Sequence, residues 1–418
     1  MKTIVLFFLA YLMVVIVAAG LGASQKTDLW PQWRGPSRDG QVPGPAWPTT
    51  LKGDALKLLW RVPLGPSYSG PIVVHDRVFV TETKDKSVEI VRALDRANGK
   101  ELWQARWKGA VTVPSYAAGN GEWIRSTPAY DGESVYVAGM RDVLVCLEAA
   151  SGKERWRVDF VARYETPVPP FGFVCSPLVD EDYVYVQAAA AFVKLEKRTG
   201  KILWRVLPYK STANGTAVSS PIIATLAGKR QVLVQQPRVL AGVAPQSGDV
   251  LWSVPVPAFR TGNILTPTVY KDCVLTGAFG GRTLLVQIAK RDDKLEANTL
   301  WSINEQGYLS TPVIINGHAY MHLRNQRFAC INLGTGKATW TSDKRFGRYW
   351  SMVAQKDLIL SLDQEGVLRL FRANPKKMEL LDARTISEEE TWAHLAVADG
   401  RLFIRELHAL AVYSWDQP

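Results

Sequence analysis

The sequence predicts an all-β fold, an eight-bladed β-propeller of four-stranded antiparallel blades. Three observations predict it: a recurrent Ser/Thr-Pro pair, a recurrent Gly-containing turn ahead of a Trp, and short alternating runs between the two. The 15 Trp residues point the same way, because side chains of that size need many similar niches.

The openings are Gly70-Pro71, Thr127-Pro128, Ser176-Pro177, Ser220-Pro221, Thr266-Pro267 and Thr311-Pro312, followed by the worn copies Ser351-Met352 and His394-Leu395. Between opening and closing lie runs such as Ser134–Val137, Tyr183–Val186 and Gln231–Gln235. They are rich in β-branched and aromatic residues and read as strands. The closings run Ala93 to Trp103, Cys146 to Trp156, Lys194 to Trp204, Gly242 to Trp252 and Cys330 to Trp340. Trp301 ends a copy whose turn is replaced by Asp292 to Asn298, and a seventh copy degenerates to Ala373–Lys376. Glycine in these turns supplies the positive φ of a tight hairpin, with Asn98-Gly99 the strongest case.

The last repeat, Trp392 to Tyr413, lacks a closing Leu-x-Trp segment, whereas Leu58-Leu59-Trp60-Arg61 is such a segment with no blade before it. The N-terminal strand is therefore expected to complete the last blade and leave the ring without an open edge. The expected organisation is a signal peptide or N-terminal anchor over residues 1–23, an N-terminal extension over 24–56 and one propeller over 57–418. Lys2, the apolar run Ile4–Val17 and the small residues that follow carry the export reading.

Export permits disulfides, but Cys146, Cys175, Cys273 and Cys330 form no C-x-x-C or adjacent pair, and Cys146 and Cys330 occupy the same position of two repeats. Buried free thiols are expected. The net charge of +11 comes from Lys and Arg interleaved with Asp and Glu, without a basic tail or nucleic-acid motif. Nucleic acid is therefore not an expected partner, and most of the charge reads as solvated surface. His75, His318 and His322 have no metal-ligand spacing, so no metal is expected.

The closings resemble the tryptophan-docking motif A-x-D-x-x-T-G-K-E-x-W of quinoprotein dehydrogenases, most closely at Ala93 to Trp103, with Asn98 in the Thr position. The chain as a whole resembles the PQQ-like β-propeller repeat family in its exported, BamB-like branch. Trp30 to Gly40 and the closing stretch from Glu390 resemble exported bacterial members. The resemblance implies the propeller and leaves the activity open, since one fold hosts many functions. The repeat residues Trp60, Trp103, Trp156, Trp204, Trp252, Trp301 and Trp340 are expected to pack blade against blade.

Two functions follow as expectations. The first is a binding or scaffold module in the periplasm or cell envelope, a monomer, engaging an envelope protein or an anionic polymer or peptide, with membrane contact only through an uncleaved N-terminal segment. No catalytic residue and no cofactor is expected on this reading. The alternative, implied by the resemblance alone, is a dehydrogenase oxidising an alcohol or sugar with PQQ and Ca²⁺. Against it stand the missing adjacent cysteines, the missing haem site and sparse acids (Glu122, Asp142, Glu165, Glu305) near the openings.

The loops entering the inner strands are expected to be long at Gln104–Ile124, Arg157–Phe173 and Val206–Gly215, on the same face as the loops between second and third strands. The mouth of the channel on that face is expected to be lined by Tyr68, Arg125, Asn263, Tyr308, Trp350 and Trp392, with Arg260, Arg348 and His394 close by. Arg beside Trp suits an anionic or sugar-bearing ligand or an acidic peptide.

Overall fold

The computed structural model describes residues 29–210, 217–259 and 262–416. The expected signal segment, residues 1–23, lies outside the described residues. Those described form eight four-stranded antiparallel sheets. Blades one to seven begin with the inner strands Ile72–Val74, Ala129–Tyr130, Leu178–Asp180, Ile222–Leu226, Thr268–Tyr270, Val313–Ile315 and Trp350–Gln355. They end with the outer strands Glu101–Lys108, Glu154–Asp159, Ile202–Val206, Val250–Pro255, Lys294–Ile303, Ala338–Thr341 and Glu379–Thr385. Blade eight takes Ala396–Ala398, Arg401–Arg405 and Ala409–Trp415 from the end of the chain and Leu56–Pro63 from its start. Leu56 pairs with Trp415 and Pro63 with Ala409, which closes the ring as the sequence implied. Arg405 bolts that closure: its buried guanidinium donates to the carbonyls of Leu407 and Ala409 in blade eight, of Gly65 in the connection to blade one and of Thr81 in blade one.

The Ser/Thr of each opening has a specific task. Gly70 N–H donates to Thr127 Oγ1, Thr127 N–H to Ser176 Oγ and Ser176 N–H to Ser220 Oγ, at 3.0–3.1 Å. Thr266 N–H donates to Thr311 Oγ1 and Leu395 N–H to Ser351 Oγ. In these blades the hydroxyl of the opening joins one inner strand to its neighbour, and where a Pro follows it that residue has no N–H of its own to give.

The closings do the equivalent work at the rim. Each outer-strand pairing carries one register shift, which lies near the Trp wherever the blade has one, as at Ala93/Leu94, Cys146/Leu147 and Cys330/Ile331. A bulge there turns the indole off its own sheet and forward. Trp60, Trp103, Trp156, Trp301 and Trp340 donate Nε1–H to the carbonyls of Arg96, Ala149, Lys197, Leu333 and Asn374 in the next blade. The rings lie on turn glycines: at Gly99, with φ +77°, an added Cβ would come within 2.7 Å of the Trp60 ring. Trp204 lies on Gly248 in the same way, 3.1 Å from the position of an added Cβ. Trp252 departs from the pattern. The next blade replaces the Gly turn with a longer hairpin, Thr283–Arg291 paired to Lys294–Ile303, and the Trp252 indole donates to Gln231 Oε1 in its own blade.

Two of the expected long loops are shorter than anticipated, because outer strands run on to Lys108 and Asp159 and residues 160–164 form a helical turn. Trp107 is thus a strand residue, donating at 2.7 Å to the buried Glu89, whose other oxygen accepts from Met140 N–H. Phe173 is core at 2% exposure. Of the third loop, residues 211–215 lie outside the described residues. All four cysteines are free and buried.

Candidate functional site

The two ends of the central channel differ. One end, the turn face, carries the tight turns between first and second and between third and fourth strands. The other, the loop face, carries the longer connections.

The channel is filled from the turn face by the N-terminal extension. Trp30 exchanges main-chain hydrogen bonds with Val73 of blade one, and Pro31 accepts from Tyr130 N–H of blade two. Gly35 and Gly40, both at positive φ, turn the chain back, and Gln41 bridges to Ala354 of blade seven in parallel. At the tip, Arg34 donates to the carbonyls of Thr311 (3.0 Å) and Pro312 (2.9 Å) of blade six. Arg38 donates to those of Ser176 (3.0 Å) and Pro177 (2.8 Å) of blade three. Trp33 Nε1 donates to Thr266 Oγ1 of blade five. The convergent carbonyls at the starts of the inner strands make a negative axial site, and two guanidiniums without a carboxylate partner satisfy it. Burial lowers Arg34 to about 10 and Arg38 to about 9, which leaves both charged at neutral pH. The chain then leaves across blades seven and eight. Trp47 N–H binds Gln355 Oε1, and Leu51 N–H and Thr50 Oγ1 bind the Asp382 carboxylate on the way to Leu56. No repeat motif assigns this segment a role beyond an extension.

On the loop face, four of the expected residues form a continuous row together with Tyr349. The Arg125 guanidinium lies 5.8 Å from the Tyr68 ring centre, and Tyr68 lies 5.9 Å from Trp392. Trp392 stacks on Tyr349 at 5.7 Å and 19°, and Arg348 sits over Trp392 at 5.7 Å. Arg125 is fixed by the carbonyls of Gly121 and Trp123. The Tyr68 hydroxyl reaches Glu390 Oε2 at 3.5 Å, and its own burial, then the Glu390 charge, raises its pKa. The Trp392 indole N–H is shielded from solvent and has no partner among the described residues. The row thus presents the partly exposed rings of Tyr68 and Trp392, tilted 46° to each other and backed by the buried Tyr349, between two cations.

Tyr308 belongs to a second group on the same face, stacked on Phe279 at 4.7 Å, with Arg324 over Phe279 at 4.4 Å. Three of the remaining expected residues, Trp350, Asn263 and His394, do not line the mouth. Trp350 is 1% exposed, packed among His322, Phe328, Phe346 and Phe371. As the first residue of an inner strand, its ring turns into the interior between blades six and seven. Asn263 is buried and spends its amide on the carbonyls of Gln236 and Val256. His394 is covered by the plug, 4.9 Å from Trp33, and burial, with Arg34 beside it, holds its pKa down to about 3. Arg260 lies outside the described residues. Sequence reasoning missed Tyr349 and Glu390, each a near neighbour in the chain of a residue it did select, and it missed Arg34 and Arg38. Their signal was two arginines four residues apart in a Gly- and Trp-bearing segment rich in turn formers.

The family model described as outer membrane protein assembly factor BamB matches residues 87–342. The outer membrane protein assembly factor BamB of Moranella endobia (strain PCIT) is 23% identical over 297 residues, covering 68% of this chain and 72% of the relative. That of Yersinia pestis is 22% identical over 291 residues, covering 62% and 69%. Among solved structures, BamB from Moraxella catarrhalis matches with a TM-score of 0.62 at 14% identity, over 87% of this chain and 98% of that one. Quinohemoprotein alcohol dehydrogenase from Comamonas testosteroni matches with a TM-score of 0.51 at 12% identity, over 94% and 81%. At these identities the structural matches show a shared fold.

The mouth fits a quinone cofactor in part only. Arg125 and Arg348 supply cations and Trp392 a platform. Among the described residues, however, no group of three or more His, Cys, Asp or Glu side chains is placed to hold the accompanying Ca²⁺. Among the described residues the donor set that would hold the cation is thus not assembled, and those residues do not fit the group. With the repeat, the ring closure and the match over residues 87–342 in hand, the chain belongs to the BamB family of PQQ-like β-propellers.

Proposed function

We propose that this chain is an exported, non-catalytic binding propeller of the cell envelope that docks a protein of outer-membrane assembly through its loop face. The observation that carries this reading is the pair Tyr68–Trp392, partly exposed, flanked by the Arg125 and Arg348 guanidiniums and supported from beneath by the buried Tyr349, the composition on which protein interfaces concentrate their binding energy. Relatives that are outer membrane protein assembly factors by name support the partner class. The self-filled channel supports it too. The plug locks the inner strands from the turn face, so the loop face stands as a stiff platform that loses little conformational freedom on binding.

The test is a photo-crosslinking amino acid placed at Trp392 in cells, with Leu300 on the exposed rim as control. The reading expects an adduct with an outer-membrane assembly protein from position 392 and none from 300. Equal labelling at both positions, or alcohol-dependent dye reduction by the purified protein supplied with PQQ and Ca²⁺, would contradict it.

A further inference from the structure

The fold sorts the charges that the sequence interleaves. Tight turns between first and second strands favour Asp, and they place Asp76, Asp131, Asp272, Asp357 and Asp399 on the turn face. Cations there find partners, as in Arg77–Asp76 (3.5 Å), Arg96–Asp399 (2.7 Å) and Arg372–Asp357 (3.3 Å). The loop face carries acids as well, paired in Arg61–Glu406, Arg369–Asp363 and Lys86–Glu122 and with Glu305 in the same cleft as Arg324, but its cations in blades four to six outnumber them. Three consecutive blades each carry an exposed arginine in the loop between their second and third strands: Arg238 in blade four, Arg282 in blade five and Arg324 in blade six. Among the described residues none of the three forms an ion pair. Arg282 donates to Ser302, and Arg324 to Gln306 Oε1, so both are held by neutral groups that leave the charge uncompensated. Beside them stand Phe259, 54% exposed, and the stacked pair Phe279–Tyr308.

We infer that the loops of blades four to six form a second docking surface, for an acidic segment of a protein partner that also carries apolar side chains. The inference rests on the partner-docking reading above and adds the partner's chemistry. Charge complementarity commits the occupant: three guanidiniums without ion pairs, planar forks that fit carboxylates, stand on one face, and the third lies over an aromatic cluster that an apolar side chain would cover. Guanidiniums held in fixed geometry by neutral groups, as at Arg282 and Arg324, suit carboxylates met one by one along a peptide, and the vesicle arm of the test below distinguishes a lipid surface.

The experiment uses the full chain in detergent and a fluorescent glutamate-rich peptide containing leucine and tryptophan as the probe. Two charge-matched variants are compared: Arg238→Glu/Arg282→Glu/Arg324→Glu on the loop face, and Lys153→Glu/Lys201→Glu/Lys337→Glu on the exposed turn face. Thermal unfolding checks that both remain folded. The expected result is peptide binding that weakens at least about tenfold in the first variant and by less than about twofold in the second. Equal weakening in both, no peptide binding by the parent, or phosphatidylglycerol vesicles competing more effectively than the peptide would overturn it. Retention of the position-392 crosslink in the first variant, with peptide binding unchanged, would refute this surface alone and leave the docking row intact.

Discussion

Trp30 and Val73 exchange both main-chain hydrogen bonds, at 2.8 and 2.9 Å, so the chain begins its described course as an added partner to the inner strand of blade one. Everything up to Val42 then runs inside the ring, touching blades one, two, three, five, six and seven through hydrogen bonds and blade eight through His394. The plug works as an axle. A propeller with an empty axis would leave inner-strand carbonyls to water, and here two arginines take them.

Replacing Arg34 by Ala removes donors to three carbonyls, those of Asp39, Thr311 and Pro312, and opens a cavity. The expected loss is about 2–4 kcal/mol in chemical denaturation. Arg34→Lys should recover little of it, because an ammonium cannot span the adjacent Thr311 and Pro312 carbonyls as a planar fork does. A Lys variant as stable as the parent would show that charge alone suffices.

Deletion of residues 57–61 takes out the strand that pairs with Ala409–Trp415, together with the Trp60 contact on Gly99 of blade one. Since the ring closes only there, the whole molecule should lose cooperativity and melt at lower temperature, rather than fray at one blade. Calorimetry reads this directly. An unchanged melting temperature would place closure elsewhere.

His394 gives a pH dependence with a definite sign. Its folded pKa is pushed down to about 3 from an ordinary 6.5, by burial against the plug and then by Arg34. The neutral ring is therefore the folded form. Its contribution to stability is complete above pH 6.5 and drains away as pH falls towards 3, because the unfolded chain binds the proton first. His394→Gln should flatten that part of the stability profile between pH 6.5 and 4. A variant with the parent's slope would assign the acid sensitivity to other groups.

The blades were legible because each repeats a chemical requirement: a hydroxyl before a proline, a left-handed glycine under an indole. The closure was legible for the same reason, as a motif with no blade of its own. The plug was not, because its partners are main-chain carbonyls, which carry no sequence signature, and Arg34 and Arg38 have no acidic residue to pair with across the sequence. The mouth was half legible. Residues just before each opening do reach it at Tyr68, Arg125, Arg348 and Trp392. Whether such a residue faces the channel or the interior depends on where its strand begins, and in blade seven the strand starts at Trp350, turning that ring inward. The charge was read as scattered solvated surface because acids and bases alternate along the chain. Turn chemistry then sends many of the acids to one face, a sorting that only the fold reveals.

The most direct measurement is retention of the outer-membrane assembly partner by the purified chain, compared between the parent and an Arg125→Ala/Arg348→Ala variant shown to melt normally. The docking row predicts at least about a tenfold loss of captured partner, since both guanidiniums flanking Tyr68 and Trp392 are gone. Undiminished capture by the variant would contradict the assignment of this face.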